Sequence, residues 1–348
     1  QNNVTPAQYS SPVQVPGNNW RTFAAGSQHA ITTKTDGTLW SWGYNTNGQL
    51  GQNNTANYSS PVQIPGTTWS TVHAGYASIL ITKTDGTLWA IGDGTYGRLG
   101  TITNQNYSSP IQIGSGTDWC TSGYNKVAVG GQTSYAIRTD GTLWVSGRNN
   151  NGLLGQNQNH NTHISSPVQI PGTWDKVQCT GYSAYAIKTN GELWSWGYGG
   201  AGQLGQGNTT QRSSPVQIPG TSWKSVSGAY FAAGATRTDG TLWTFGTNDW
   251  GELGQNNRTQ YSSPKQVPGT TWDITFGSVR RSALVTKTDG TLWSWGYNAQ
   301  GALGLGNSYP TQNGASSPTQ IPGTTWIVDA GGADGGIGHD WGGAIKQQ

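Results

Sequence analysis

The stretch KTDGTLWSWGYNTNGQLG at residues 34–51 returns at residues 287–304 as KTDGTLWSWGYNAQGALG, and looser copies lie between them. The core of this phrase, DGTLW with one NGELW variant, begins at Asp36, Asp85, Asp140, Asn190, Asp239 and Asp289. A second anchor, the tripeptide SSP, begins at Ser10, Ser59, Ser108, Ser165, Ser213, Ser262 and Ser316, at spacings of 48 to 57 residues. A period of this length is typical of propellers and other repeat architectures. The repeat therefore predicts the fold of the whole chain.

Each unit contains several short strands separated by turn signals. It reads SSP, then PG, then a Trp and a short apolar strand that ends near Ala-Gly, and it closes on the DGTLW phrase. Asp-Gly suits a tight hairpin, because Gly accepts a positive φ and Asp can bond the turn backbone. No segment keeps a helical period, so we expect almost no helix. Three or four strands in about 50 residues match one propeller blade.

The tryptophans indicate how such units pack. One Trp follows the SSP tripeptide in each unit, at Trp20, Trp69, Trp119, Trp174, Trp223, Trp272 and Trp326, and PG precedes it in all units but that of Trp119. A single blade exposes two apolar faces, which neighbouring blades must cover. Each buried indole removes roughly 150–250 Å² of surface from water. We therefore predict an all-β fold with one domain over residues 1–348, a seven-bladed β-propeller whose blades are joined mainly by tryptophan.

The last repeat is incomplete. After Trp326 the chain has no DGTLW strand, while residues 1–17 match residues 52–66 and supply what normally follows that strand. We therefore expect both termini to build the last blade, which would remove exposed sheet edges. The blade could be one strand short, or DGGIGHDWGG could fill the place in a degenerate register. A longer natural chain is the third possibility, and the absence of Met favours a processed product or an excised piece.

The composition argues against two classes of partner. Charged residues make up 9% of the chain and the net charge is +3, without any run of Lys or Arg. Nucleic acid and anionic membranes are therefore not expected partners, because both need a concentrated positive surface. No window of 18 apolar residues occurs, so we expect no membrane insertion. Two cysteines are too few for a disulfide scaffold.

The repeated W-G-x-N-x-x-G-x-L-G, S-P and A-G elements resemble the regulator of chromosome condensation family of seven-bladed propellers. The resemblance covers essentially the whole chain and agrees with the count of SSP copies. It implies the propeller fold, and it implies guanine-nucleotide exchange on a small GTPase as one function. Because propellers host unrelated activities, the function has to be argued from a site.

Few residues are suited to catalysis or metal binding. The five histidines are scattered, and no nucleophile-elbow motif occurs. His160 and His163 could form half of a metal site, but an Asn-rich loop insertion explains them without a metal. No calcium-binding loop motif is present. We expect no catalytic residue, no metal and no cofactor.

Divergence between the copies points to a binding surface. Positions that repeat serve the scaffold, so positions that differ can serve recognition, and the copies differ most just after the Ala-Gly element. These loops should emerge at one end of the propeller, near its axis, where aromatic and Arg side chains suit binding hot spots. Drift among the copies and filling of a central channel would produce the same divergence. The predicted ligand-binding residues are His29, Tyr76, Tyr135, Tyr182, Tyr185, Tyr230, Phe231, Arg280, Arg281, His339 and Trp341.

The sequence therefore predicts a non-catalytic recognition or structural module that binds a protein or a glycan. An extracellular location, on a secreted protein, a cell surface or a virion, fits the low charge and the Asn-, Thr- and Gly-rich loops. Guanine-nucleotide exchange on a small GTPase is the first alternative. A polysaccharide-active enzyme is the second, although no paired carboxylates can be identified for it.

Overall fold

A computed structural model describes residues 14–123, 125–158, 162–228, 230–273, 277–279, 281–298, 301–306, 314–324, 326–327 and 345–346. These residues form antiparallel sheets and two short 3₁₀ turns, Thr95–Gly97 and Asn150–Gly152. The prediction of an all-β propeller with almost no helix is confirmed. The strands follow one another along the chain, and each repeat supplies one sheet.

The first three blades have the following strands. Blade one contains β1 (Trp20–Ala25), β2 (His29–Lys34), β3 (Leu39–Gly43) and β4 (Tyr58–Ile64). Blade two contains β5 (Trp69–Ala74), β6 (Ser78–Lys83), β7 (Leu88–Gly92) and β8 (Tyr107–Gln112). Blade three contains β9 (Val127–Val129), β10 (Thr133–Ile137), β11 (Leu143–Arg148) and β12 (His163–Ile170).

The remaining strands continue the pattern. Blade four contains β13 (Trp174–Cys179), β14 (Ser183–Lys188), β15 (Leu193–Gly197) and β16 (Arg212–Gln217). Blade five contains β17 (Trp223–Gly228), β18 (Ala232–Arg237), β19 (Leu242–Gly246) and β20 (Tyr261–Val267). Blade six contains β21 (Gly277–Val279), β22 (Ser282–Thr286), β23 (Leu292–Gly296) and β24 (Ala315–Ile321). Two further strands, β25 (Trp326–Ile327) and β26 (Ile345–Lys346), form a two-stranded sheet.

The number of blades differs from the prediction. Among the described residues the structure has six four-stranded blades, so the predicted count of seven is not supported. From the described part of the seventh repeat comes the pair β25–β26, in which Trp326 lies opposite Lys346. The physical reason is that SSP marks one strand of a blade, whereas a four-stranded blade also needs the DGTLW strand, which occurs in six copies including NGELW. The predicted closure of the last blade by both termini depends on residues 1–13 and 328–344, which lie outside the described residues.

The blades pack around their first strands. β1 contacts β5, β5 contacts β9, and the series continues through β13 and β17 to β21, so these strands are the innermost. The apolar clusters lie at the boundaries between consecutive blades rather than within single blades. Trp69, Trp119, Trp174, Trp223 and Trp272 are each buried in one of these clusters. Burial of each blade face against its neighbour is therefore the main source of stability.

The strand order defines two ends of the molecule. At one end, here called the Asp-Gly end, the turns at 36–37, 85–86, 140–141, 190–191, 239–240 and 289–290 join second strands to third strands. The opposite end, here called the loop end, carries the loops between first and second strands and the start of each connection from the third strand to the fourth. Because successive strands are antiparallel, the two sets of loops lie on opposite sides of every blade.

The DGTLW phrase forms a turn whose Asp and Thr side chains are hydrogen-bonded to each other and to the tryptophan of the same phrase. Asp36 Oδ1 accepts hydrogen bonds from the Thr38 N–H at 2.9 Å and from Thr38 Oγ1 at 2.7 Å. Trp40 Nε1 in turn donates to Thr38 Oγ1 at 2.9 Å. Gly37 has a φ of +78°, which disfavours any residue with a Cβ. The same bonds recur in the other DGTLW copies.

Candidate functional site

Close packing of glycines holds the hairpin loops of the loop end together. A Cβ added to Gly26 would lie 2.5 Å from the Gly75 carbonyl oxygen, and one added to Gly75 would lie 2.4 Å from that of Gly130. A Cβ on Gly130 would lie 2.7 Å from the carbonyl oxygen of Thr180 in blade four. The Ala-Gly element thus exists because the backbone of the next blade occupies the space of a side chain. The loops of blades one to four consequently form one continuous surface.

A second set of side chains joins these loops. In each of the six blades, one residue directly follows the glycine near the end of the third strand. Its backbone N–H donates, at 2.7–2.9 Å, to the carbonyl oxygen of the last residue in the loop between the first and second strands. The side chains at this backbone position differ from blade to blade: Tyr44, Asp93, Arg148, Tyr198, Thr247 and Tyr297. Sequence reasoning missed this set, because three of the six copies carry Tyr and the position looks like part of the repeated W-G-Y phrase.

Four aromatic rings meet at the boundary between blades four and five. Tyr182 stacks on Phe231 with ring centroids 5.3 Å apart, and it meets Tyr230 edge-on at 5.2 Å. Tyr198 lies 5.7 Å from Phe231 and 6.3 Å from Tyr182. The hydroxyl groups of Tyr182 and Tyr230 are 3.3 Å apart. All four rings are half-buried, so they present aromatic surface to solvent from a packed base. We call this group the tyrosine cluster.

A smaller group lies between blades five and six. Trp250 and Tyr297 meet edge-on with centroids 4.7 Å apart, and the Arg281 guanidinium lies 5.7 Å from the Trp250 ring. Beneath them is Glu252, which is 3% exposed. Its Oε2 accepts the Trp250 N–H at 2.7 Å, and its Oε1 accepts Thr247 Oγ1 at 3.3 Å. Burial raises the pKa of Glu252 above its ordinary value, and the neighbouring Asp249 raises it further.

A third group, between blades two and three, is basic and aromatic. Arg148 lies over the Tyr96 ring at 4.5 Å, and the Tyr96 ring is 4.6 Å from His163. The Arg98 guanidinium forms an ion pair with Asp93 at 3.1 Å and is buried. The loop end therefore carries different chemistry at three separate boundaries.

The structure brings together only part of the predicted binding set. Tyr182, Tyr230 and Phe231 belong to the tyrosine cluster, Arg281 contacts Trp250, and Tyr76 is 41% exposed on a loop of blade two. Arg280, His339 and Trp341 lie outside the described residues.

Three predicted ligand-binding residues are buried and correct the prediction. Tyr135 donates its hydroxyl proton to the carbonyl oxygen of Leu153, and Tyr185 donates to that of Gln203 at 2.8 Å. Both rings pack into the next blade, because they lie within second strands rather than in the loops. His29 begins β2, is 1% exposed, and burial lowers its pKa to about 4. These side chains offer a ligand almost no surface.

The described part of the chain contains no group of three or more His, Cys, Asp or Glu side chains that could hold a metal ion. Cys120 and Cys179 are thiols and do not form a disulfide. None of the helical segments within the described ranges has the length and apolar character needed to cross a membrane.

A cavity of about 340 Å³ lies beside the outer strands at the boundary between blades three and four. Its walls include Ile170, Pro171, Trp194, Lys188 and Pro215. Lys188 covers the Trp194 ring at 4.0 Å. The residues around this cavity belong to the repeated phrases, so the cavity is a feature of the scaffold.

Comparisons with known proteins agree with this fold. The chain matches the family model described as an RCC1-like domain over residues 1–339. No curated protein sequence matches the chain. Human WBSCR16 is similar in structure, with a TM-score of 0.76 and 18% identity over 90% of this chain and 84% of that one.

Yeast Prp20p is a second structural relative. The Prp20p of Saccharomyces cerevisiae has a TM-score of 0.74 and 20% identity over 87% of this chain and 76% of that one. The same yeast protein in complex with Kap60 gives a TM-score of 0.71 at 20% identity, over 87% of this chain and 74% of that one. At such identities the structural likeness bears on the fold alone. The match of the family model along nearly the whole sequence is the stronger finding, and by it the chain belongs to the RCC1-like domain family.

Proposed function

We propose that the chain is a non-catalytic recognition module that binds a protein or glycan ligand through its loop end. The observation that carries this proposal is the tyrosine cluster, in which Tyr182, Tyr198, Tyr230 and Phe231 are packed together yet only half-buried. Rigid aromatic rings supply a large contact area at a low cost in conformational entropy. Their polar hydroxyl groups and flat faces suit both protein docking and stacking on sugars.

The proposal includes an extracellular location, on a secreted protein, a cell surface or a virion. It is supported by the low charged fraction of 9% and by the Asn-, Thr- and Gly-rich loops. A sparsely charged surface limits non-specific attraction to nucleic acid and anionic membranes, and specific contacts then decide which partner is bound.

The experiment compares capture by the full chain with capture by Tyr230→Ala. Both are immobilised and exposed to a glycan array and to candidate protein partners, and the retained ligands are identified. Tyr230→Ala should lose ligands that the parent chain retains, because it removes the ring that meets both Tyr182 and Phe231. Tyr58→Ala, a replacement on an outermost strand, is the control and should keep them.

Stability is measured alongside, because the rings support one another. Removing one ring of an aromatic pair costs about 1 kcal/mol, so capture is expressed per folded molecule. If Tyr230→Ala retains every ligand that the parent chain retains, the tyrosine cluster is not the binding site.

Guanine-nucleotide exchange on a small GTPase is the second candidate. It is supported by membership of the RCC1-like domain family and by the structural likeness to Prp20p, which binds Gsp1p and histones. The test adds the full chain to a small GTPase loaded with a fluorescent guanine nucleotide and follows nucleotide release. Accelerated release would favour exchange over simple recognition, and an unchanged release rate would count against it.

A further inference from the structure

The boundary between blades two and three carries an arginine that is fixed in place. Arg98 lies on the connection from β7 to β8, and its side chain is 5% exposed. Its Nε donates to the carbonyl oxygen of Thr95 at 2.9 Å, and its Nη1 donates to that of Gly131 at 3.0 Å. The same Nη1 lies 3.1 Å from Asp93 Oδ2. Arg98 is thus part of the wall of the site, and Asp93 balances its charge.

A second arginine lies beside it and is more accessible. Arg148 ends β11 and is half-buried. Its Nη1 donates to Gln132 Oε1 at 2.8 Å, and its guanidinium stacks on the Tyr96 ring at 4.5 Å. Arg98 approaches the same ring at 5.9 Å. Tyr96 therefore holds both guanidinium groups near one another, and its ring also contacts the ring of His163.

The charges of this group do not cancel within the described residues. Two guanidinium groups meet one carboxylate, that of Asp93, and no described carboxylate pairs with Arg148. Burial is the main cause that lowers the pKa of Arg98, and the nearby positive charge of Arg148 lowers it further. A positive charge held in a half-buried place is costly unless an anion accompanies it. The arginine fork matches the geometry of a carboxylate.

We propose that Arg148, stacked on Tyr96 and held by Gln132, binds a carboxylate of an acidic peptide segment. This inference rests on the proposed recognition function and assigns a ligand class to one part of the loop end. One excess positive charge matches the single charge of a carboxylate better than the double charge of a phosphate group. Tyr76, which is 41% exposed on the adjoining loop of blade two, offers apolar surface for the residues that flank the acid.

The experiment measures direct peptide binding to the full chain by fluorescence polarisation. The probe is a fluorescein-labelled peptide with the sequence Gly-Ser-Glu-Asp-Glu-Ser-Gly, and its counterpart has Gln and Asn in place of the acids. The acidic peptide should bind, and the neutral counterpart should not. Arg148→Gln should weaken binding about tenfold or more, because a hydrogen-bonded charge pair is lost.

Arg258→Gln provides the matched control. Arg258 is an exposed arginine on the β19–β20 connection, and its replacement makes the same change in net charge. It should leave peptide binding unchanged. Equal binding by Arg148→Gln and the parent chain would overturn the proposal, as would an equal loss in Arg258→Gln, since that would indicate non-specific attraction.

Competition distinguishes the two anion chemistries. Acetate and inorganic phosphate are added separately to the bound peptide. Displacement by acetate at concentrations similar to phosphate supports a carboxylate site, whereas phosphate acting at far lower concentrations would overturn the assignment.

Failure of this inference can also be distinguished from failure of the proposed function. Tyr230→Ala should still bind the acidic peptide, because the tyrosine cluster lies at a different boundary. Loss of ligand capture in Tyr230→Ala together with unchanged peptide binding in Arg148→Gln would overturn only this inference. Retained capture in Tyr230→Ala together with lost peptide binding in Arg148→Gln would overturn only the tyrosine cluster as the binding site.

Discussion

The two ends of the molecule use the same repeat in opposite ways. At the Asp-Gly end, side chains repeat together with the backbone: each DGTLW copy has an Asp–Thr hydroxyl bond of 2.6–2.7 Å. One Lys or Arg in each blade also lies 4.0–5.6 Å from the centroids of two indole rings. At the loop end the backbone bonds repeat, and so do buried side-chain bonds such as those of Asn45 and Gln49, but the side chains at the surface change. The scaffold therefore constrains one end of every blade and leaves the other open to variation.

The loop end nevertheless has one strict requirement, which lies beneath its variable side chains. The hairpin loops must approach one another closely, and Gly26, Gly75 and Gly130 meet this requirement by having no Cβ. The residues that serve stability and those of the proposed recognition surface are thus separated within a few residues of each loop. Substitutions can test this separation, because the two functions predict different readouts.

The largest expected effect comes from Gly75→Ala. The new Cβ would lie 2.4 Å from the Gly130 carbonyl oxygen and 2.8 Å from Val129 Cγ1, so the backbone would have to shift. We expect the free energy of unfolding to fall by about 3 kcal/mol, measured by denaturant unfolding. Gly114→Ala is the control: its φ is +61° but no atom lies within 4 Å of the new Cβ, so the loss should be about 1 kcal/mol. Similar losses in both variants would show that close packing of the loops is unimportant.

A smaller effect is expected from Lys83→Met at the Asp-Gly end. Lys83 Nζ lies 4.6 Å from the Trp69 ring centroid and 4.0 Å from that of Trp89. Met keeps most of the hydrocarbon contact but removes the charge, so the free energy of unfolding should fall by about 1 kcal/mol. Ligand capture per folded molecule should be unchanged, because this end does not contribute to the proposed binding surface.

Lys224→Met is the matched control for this substitution. Lys224 pairs with Asp273 at 2.7 Å, and both side chains are more than a third exposed. Such a pair contributes little, so the loss should stay below about 0.5 kcal/mol. If the free energy of unfolding falls as much in Lys224→Met as in Lys83→Met, then the cation beside each pair of indole rings does not contribute to stability.

The repeat predicts the scaffold well because its residues act locally. Asp36, Thr38 and Trp40 make their bonds within five residues, so the hairpin can be inferred from the sequence. The number of blades could not be inferred in this way, since a complete blade needs every strand. Counting SSP gives seven copies and counting DGTLW together with its NGELW variant gives six, and the described residues form six four-stranded sheets.

The predicted binding residues include buried side chains because loop and strand could not be distinguished from the sequence. The segment that differs between copies after the Ala-Gly element contains both Tyr182 and Tyr185. Tyr182 remains at the surface, whereas Tyr185, three residues further along in β14, is buried. Side chains alternate between the two faces of a strand, and Tyr185 lies on the face that packs against the next blade. Conversely, Arg148 and Trp250 were overlooked, because they occupy variable positions inside the repeated phrase. Comparing all copies at every position of the phrase would have found them.

The smallest expected effect is a gain in stability at the loop end, from Glu252→Gln. Gln49 and Gln203 occupy the same repeat position, and their Oε1 atoms accept backbone N–H groups at 2.9 and 3.0 Å. Glu252 accepts the Trp250 N–H in the same way but brings a charge into a buried place. Glutamine keeps the bond without the charge, so the free energy of unfolding should rise by about 0.5–1 kcal/mol at neutral pH.

The pH dependence of that gain identifies its cause. The pKa of Glu252 is raised in the folded chain by burial, whereas an unfolded Glu titrates near 4.3. The folded state therefore binds the proton more tightly, and the parent chain loses stability as the pH rises from about 4.3 through the folded-state pKa. Hydrogen bonds from Thr lower the pKa values of Asp85 and the other turn carboxylates, so their contribution to stability depends on pH in the opposite direction. The parent chain and Glu252→Gln share these carboxylates. Subtracting the two unfolding curves from pH 3 to pH 8 should thus give no difference at acidic pH and the full gain above the raised pKa. A difference that does not change with pH would assign the gain to packing rather than to the buried charge.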